Sequence, residues 1–149
     1  MIKKLFPSLI GLLCVSLTHA QNPVSWSFSA KKVADKTYEI RLISKVDHPW
    51  HIYSQTTPEG GPLPTKIVFG KNPLLNVQGE VKEVGKLVQK REEVFDLDVK
   101  YFEGQADFVQ VIKLKSNVKT NISGTVEFMV CNDVQCLPPA TVNFSIPLQ

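Results

Sequence analysis

After residue 23 the chain repeats with a period of two, and that rhythm limits what it can fold into more than any other feature. Val24-Ser-Trp26-Ser-Phe28-Ser-Ala30 alternates apolar with polar side chains, and Tyr38-Glu-Ile40-Arg-Leu42 does the same. Successive residues of a strand point to opposite faces, so such alternation marks a strand with one face buried. Trp50 to Ser54, Lys66 to Phe69, Val77 to Val84, Val99 to Phe102, Ala106 to Leu114, Thr125 to Val130 and Thr141 to Ile146 read as further strands. They are rich in Val, Ile, Phe and Thr and are separated by Gly, Pro, Asn and Asp, which favour turns. No stretch carries a helical period. Eight or nine short strands in one domain predict an all-β fold, an immunoglobulin-like two-sheet β-sandwich.

The first twenty residues do not belong to that pattern. Lys3 and Lys4 precede an apolar run from Leu5 through Leu17, and Thr18-His19-Ala20 offers a small residue for cleavage. This is the layout of a secretory signal peptide over residues 1–20, cut near Ala20, with the mature chain exported and not inserted in a membrane. Cys14 is expected to leave with the signal; Leu13 before it does not suit a lipid-anchor site. The remaining 129 of the 149 residues form a single expected domain, 21–149, long enough to bury a core. Setting aside Lys3 and Lys4 reduces the 17 basic residues to 15, against 14 acidic ones interspersed with them. Nothing in that balance points to nucleic acid. Pro58-Glu-Gly-Gly-Pro62-Leu-Pro64 reads as a loop within the domain.

Two cysteines are left, in Cys131-Asn-Asp-Val-Gln-Cys136-Leu-Pro-Pro139. In an exported protein such a pair forms a structural disulfide, holds a metal, or cycles between dithiol and disulfide. Strand parity puts Val126, Phe128 and Val130 on the inward face and Cys131 on the other, outside the main core at a strand end. Cys136 then falls in the connection 132–139 between two neighbouring strands, where Pro138 and Pro139 exclude regular pairing. A staple closing six residues constrains the unfolded chain by only about 2 kcal/mol, against about 4–5 kcal/mol for a bridge closing about 100 residues. Met129, His48 and His51 add soft or imidazole donors suited to copper(I), but zinc sites usually add a second cysteine pair, absent here, and no metal is assigned. His51 is expected to open a strand, partly exposed. The residues alone leave thiol exchange and a structural hairpin bridge both open.

Cys131-x4-Cys136-Leu-Pro-Pro, together with Trp50-His-Ile-Tyr53-Ser upstream, resembles the periplasmic N-terminal domain of the thiol:disulfide interchange protein DsbD family, over Val24 to Pro147. The resemblance implies an immunoglobulin-like domain whose cysteine pair carries electrons from a membrane partner to periplasmic thioredoxin-like acceptors, without a bound cofactor. It implies that Cys136 makes mixed disulfides with partners and that Cys131 resolves them. It implies a cap loop at Arg91 to Asp96, with Phe95 covering the sulfurs and Glu92, Glu93 or Asp96 close by, and it places Trp50 and Tyr53 beside the site. Asp133, between the cysteines, disfavours a thiolate, and no helix N-terminus is predicted there, so exchange is expected to be slow and partner-dependent. Two departures stand out. The best-known members have one more residue between the cysteines, and in them a membrane domain and a thioredoxin-like domain follow. Neither follows Gln149, so a separate membrane electron donor is expected. The alternative is a non-catalytic β-sandwich interaction module with a local structural disulfide.

Overall fold

The computed structural model describes residues 22–149 except Val94; the expected signal peptide, residues 1–20, lies outside the described residues. Nine strands and no helix occur among those described: β1 (Val24–Ala34), β2 (Thr37–Val46), β3 (His51–Tyr53), β4 (Lys66–Phe69), β5 (Leu75–Glu92), β6 (Leu97–Leu114), β7 (Thr120–Phe128), β8 (Val130–Cys131) and β9 (Ala140–Leu148). They form the expected all-β sandwich. One sheet runs β1-β2-β6-β3-β8, with β5 also paired to β6, and the other runs β4-β7-β9.

Alternation in the sequence becomes burial in the sheet. Along β2, Tyr38, Ile40, Leu42, Ser44 and Val46 are buried, while the residues between them are at least partly exposed. Phe102, Phe108 and Ile112 of β6 face the same space, met from the second sheet by Ile122, Val126, Phe128, Phe144, Ile146 and Leu148. Trp26 and Phe28 of β1 reach across the sandwich, with ring centroids 5.4 Å from Phe128 and 5.5 Å from Phe144 respectively. Gly124 of β7 is a close approach: a Cβ there would lie 2.3 Å from the Val68 carbonyl oxygen and 2.6 Å from Phe144 Cζ. No larger residue fits without shifting β4 or the Phe144 ring.

Three expectations are corrected. Val99–Phe102 and Ala106–Leu114 are one strand, β6, rather than two. Gly104, with φ of 73°, absorbs an irregularity without ending the strand, as glycine does at bulges. On one side β6 changes partner there, pairing β3 through residues 101–103 and β2 through residues 105–113. Secondly, β5 extends well beyond Val84. Its polar continuation Lys86–Glu92 forms the arm of a hairpin with the start of β6, ending at the Glu92–Leu97 pair. Thirdly, the strand expected at Thr125–Val130 breaks at Met129. β7 pairs β9 in one sheet, whereas Val130 and Cys131 pair β3 in the other. The segment 132–139 therefore joins strands of different sheets.

Candidate functional site: a cysteine hairpin on the outer face of the sheet

Parity divides three short segments between two environments. Ile52, Phe102 and Val130 point into the sandwich. Tyr53, Tyr101 and Cys131, their immediate neighbours, point to the outer face of the same sheet, where they form a second buried cluster with Val99. Cys131 is thus outside the main core, as its parity requires, yet it is only 1% exposed. Val88, Leu97 and Met129 pack against the cluster and account for that burial.

Beyond Cys131 the chain makes a tight hairpin. Cys131 and Cys136 face each other as an isolated antiparallel bridge and form a disulfide, with Cα atoms 4.0 Å apart. Backbone bonds close the turn on either side: Asn132 N–H donates to the Gln135 carbonyl (2.9 Å) and Leu137 N–H to the Val130 carbonyl (2.9 Å). The Asn132 side-chain oxygen accepts from the amides of Val134 (2.9 Å) and Gln135 (2.8 Å), the local bonding for which Asn is favoured in turns. The two sulfurs differ in access. Cys136 is exposed and Cys131 is buried, and Val134 at the tip is 90% exposed.

An open depression of about 470 Å³ runs beside the bridge, lined by both cysteines, the turn between them, His51, Tyr53, Lys90, Glu92 and Phe95. Of the residues expected around the pair, Tyr53, Asp133, Glu92 and Phe95 meet here. Glu93 and Asp96 do not line it; both are exposed, and Asp96 forms an ion pair with Arg91 across the tip of the β5–β6 hairpin. Phe95 stands at the rim, 42% exposed. Trp50 is partly buried and packs on the main core. Among the described residues no cluster of three or more His, Cys, Asp or Glu is arranged to hold a metal ion.

His51 joins the site although the sequence assigned it no part in thiol chemistry. It pairs directly with Cys131 across β3 and β8. Its ring lies over Tyr101 at 4.2 Å, and its Nε2 shares a 3.2 Å hydrogen bond with the Tyr53 hydroxyl. Burial lowers its pKa from the ordinary histidine value, with the carboxylates of Glu103, Asp133 and Glu92 acting in the opposite direction. Burial pushes the Tyr53 phenol up to about 12, helped by Glu92 and Tyr101. The only sequence signal for His51 was its parity, shared with Tyr53 and opposite to Ile52.

Fold and site together define an immunoglobulin-like β-sandwich that carries a short cysteine hairpin on the outside of one sheet. Residues 20–147 match the family described as thiol:disulfide interchange protein DsbD, N-terminal, and the chain belongs to that family. No curated protein matches the chain by sequence. Among solved structures, the N-terminal periplasmic domain of ScsB from Proteus mirabilis is similar with a TM-score of 0.55 and 18% identity, over 89% of this chain and 49% of that one. The reduced DsbD N-terminal domain of Neisseria meningitidis gives 0.50 and 18%, over 80% and 82%. The complex between the DsbD and PilB N-terminal domains of the same organism gives 0.53 and 15%, over 87% and 86%. At these identities the likeness is one of fold.

Proposed function

We propose that this chain is a periplasmic thiol–disulfide exchange protein that passes reducing equivalents between partner proteins, with Cys131 and Cys136 cycling between dithiol and disulfide. The observation that carries the reading is the unequal access of the two sulfurs on one rigid turn. Exchange proceeds by in-line attack of a thiolate on a disulfide sulfur, so the sulfur a partner reaches must be open to it. Cys136 is exposed at the rim of the depression, and Cys131 is buried directly behind it. Cys136 forms the mixed disulfide and Cys131 resolves it. Phe95, Glu92, Tyr53 and Asp133 surround the exchanging bond. No cofactor takes part.

Partners follow from the same family membership: periplasmic thioredoxin-like proteins on one side and a membrane electron donor on the other. The solved complex of a DsbD N-terminal domain with a PilB N-terminal domain supports a protein partner for a domain of this kind. Equilibrating the mature protein with defined glutathione ratios, and reading the cysteines by alkylation and mass spectrometry, tests the proposal. The bridge should open reversibly with the domain folded, and Cys131→Ala should trap mixed disulfides through Cys136. A bridge that resists reduction below about −300 mV, or opens only on unfolding, would instead make it the structural staple of a non-catalytic interaction module.

A further inference from the structure

Of the two cysteines, Cys131 is the worse placed to ionise. The thiolate is the nucleophile, and an apolar, buried setting disfavours it. Cys131 is 1% exposed among Tyr53, Val99 and Tyr101. Closing Cys131 onto Cys136 therefore requires removing a proton that water reaches poorly. One imidazole stands beside it on the same face. His51 is the direct cross-strand partner of Cys131, and directly opposed residues carry Cβ atoms about 4.5–5.5 Å apart. The His51 ring borders the same depression as both sulfurs and is held in place by Tyr101 and Tyr53.

Building on the exchange reading above, we propose that His51 is the proton relay of the resolving step, taking the Cys131 thiol proton and delivering it to the departing partner sulfur. The step starts from a mixed disulfide between Cys136 and a partner. His51 accepts the proton of the Cys131 thiol, and the resulting thiolate attacks Cys136 Sγ. The Cys131–Cys136 bond forms as the Cys136–partner bond breaks, and the electron pair leaves on the partner thiolate, which takes the proton from the imidazolium. Over the full exchange the two cysteines lose two electrons and the partner disulfide becomes a dithiol. The other proton comes from Cys136 in the opening attack.

The surroundings suit a base that is neutral at rest and charged in passing. Burial keeps the ring in its neutral form, while Glu103 of β6, Asp133 of the hairpin and Glu92 of β5 favour the imidazolium once it forms, and Lys90 of β5 opposes it. Tyr101 stays a phenol because burial raises its pKa. Tyr53 also stays protonated, its pKa pushed up to about 12. In the tautomer whose Nε2–H donates to the Tyr53 oxygen, the one the relay requires, the Nδ1 lone pair is left to receive the thiol proton.

The test uses the reduced mature protein with oxidised glutathione as the disulfide. Acid quenching and mass spectrometry separate the glutathione adduct from the closed bridge, so opening attack and closure are timed independently, while NMR gives the His51 pKa. In the unmutated protein the closure rate should rise with pH through that pKa, ahead of thiol ionisation. H51F, which keeps a ring against Tyr101, should lose that inflection and close about tenfold more slowly at neutral pH, a modest share of the usual general-base factor. Adduct formation at Cys136 should be unchanged, and H51Q serves should H51F fail to fold. Closure that follows thiol ionisation alone in the unmutated protein overturns the relay, as does a folded variant with an unaltered rate and profile. A relay that fails while adducts still form leaves exchange standing; absence of both the adduct and the closed bridge refutes exchange and the relay together.

Discussion

The two apolar clusters of this molecule back onto one sheet and are built from different residues. The sandwich interior is almost wholly Phe, Ile, Leu and Val; its one tyrosine, Tyr38, is bonded through its hydroxyl to the Gln149 carbonyl. The outer cluster consists of Tyr53, Val99, Tyr101 and Cys131, with His51 packed against its tyrosines. Adjacent residues fall to opposite sides: Ile52 inward and Tyr53 outward, Phe102 inward and Tyr101 outward, Val130 inward and Cys131 outward. One face supplies cohesion. The other holds the disulfide among groups that can donate, accept and titrate.

The sharpest way to break the comparison is to damage each side and compare the losses. Phe108→Ala, deep in the sandwich, should cost about 3–5 kcal/mol in denaturant unfolding, because neither sheet can collapse into the space left by the ring. A loss no greater than that of an outer-cluster change would mean that the two regions share the load. Replacing both cysteines by alanine should cost less, about 2 kcal/mol for a six-residue loop, and leave the far-ultraviolet circular dichroism unchanged. The smallest effect is one of pH. Burial holds the folded-state pKa of His51 below the unfolded value of about 6.5, so the unfolded chain binds more protons in between. The contribution of His51 to stability is thus present above about pH 6.5 and is lost as pH falls through the folded pKa. H51F should flatten that part of the unfolding curve; an unchanged acid limb would place the titrating group elsewhere.

Where the sequence was readable, it was through parity. Alternation in Val24–Ala30, Tyr38–Leu42 and Thr141–Ile146 reflects burial on one side only, and all three are strands with the expected inward faces. The same argument placed Cys131 off the main core. It did not reveal the burial of Cys131, because the covering residues Val88 and Leu97 come from the two strands of the β5–β6 hairpin, whose β5 arm is polar along much of its length. Gly104 looked like a turn between two strands because glycine marks both turns and bulges, and only the pairing of β6 with β5 on its far side distinguishes them. His51 stayed outside the candidate site for a related reason. Its position opposite Cys131 depends on the register between β3 and β8, which follows from how β7 breaks at Met129, a long-range outcome that local pattern does not encode.

The turn bonds of Asn132 involve neither sulfur. On the exchange reading, the Asn132 bonds to the amides of Val134 and Gln135, and the Leu137 amide bond to the Val130 carbonyl, are what would hold the turn once the disulfide opens. The two thiols are then neighbours on a preformed clasp, and each meets the other at a high effective concentration. In the exchange proposed above, that clasp would favour closure of the bridge by keeping the two sulfurs together.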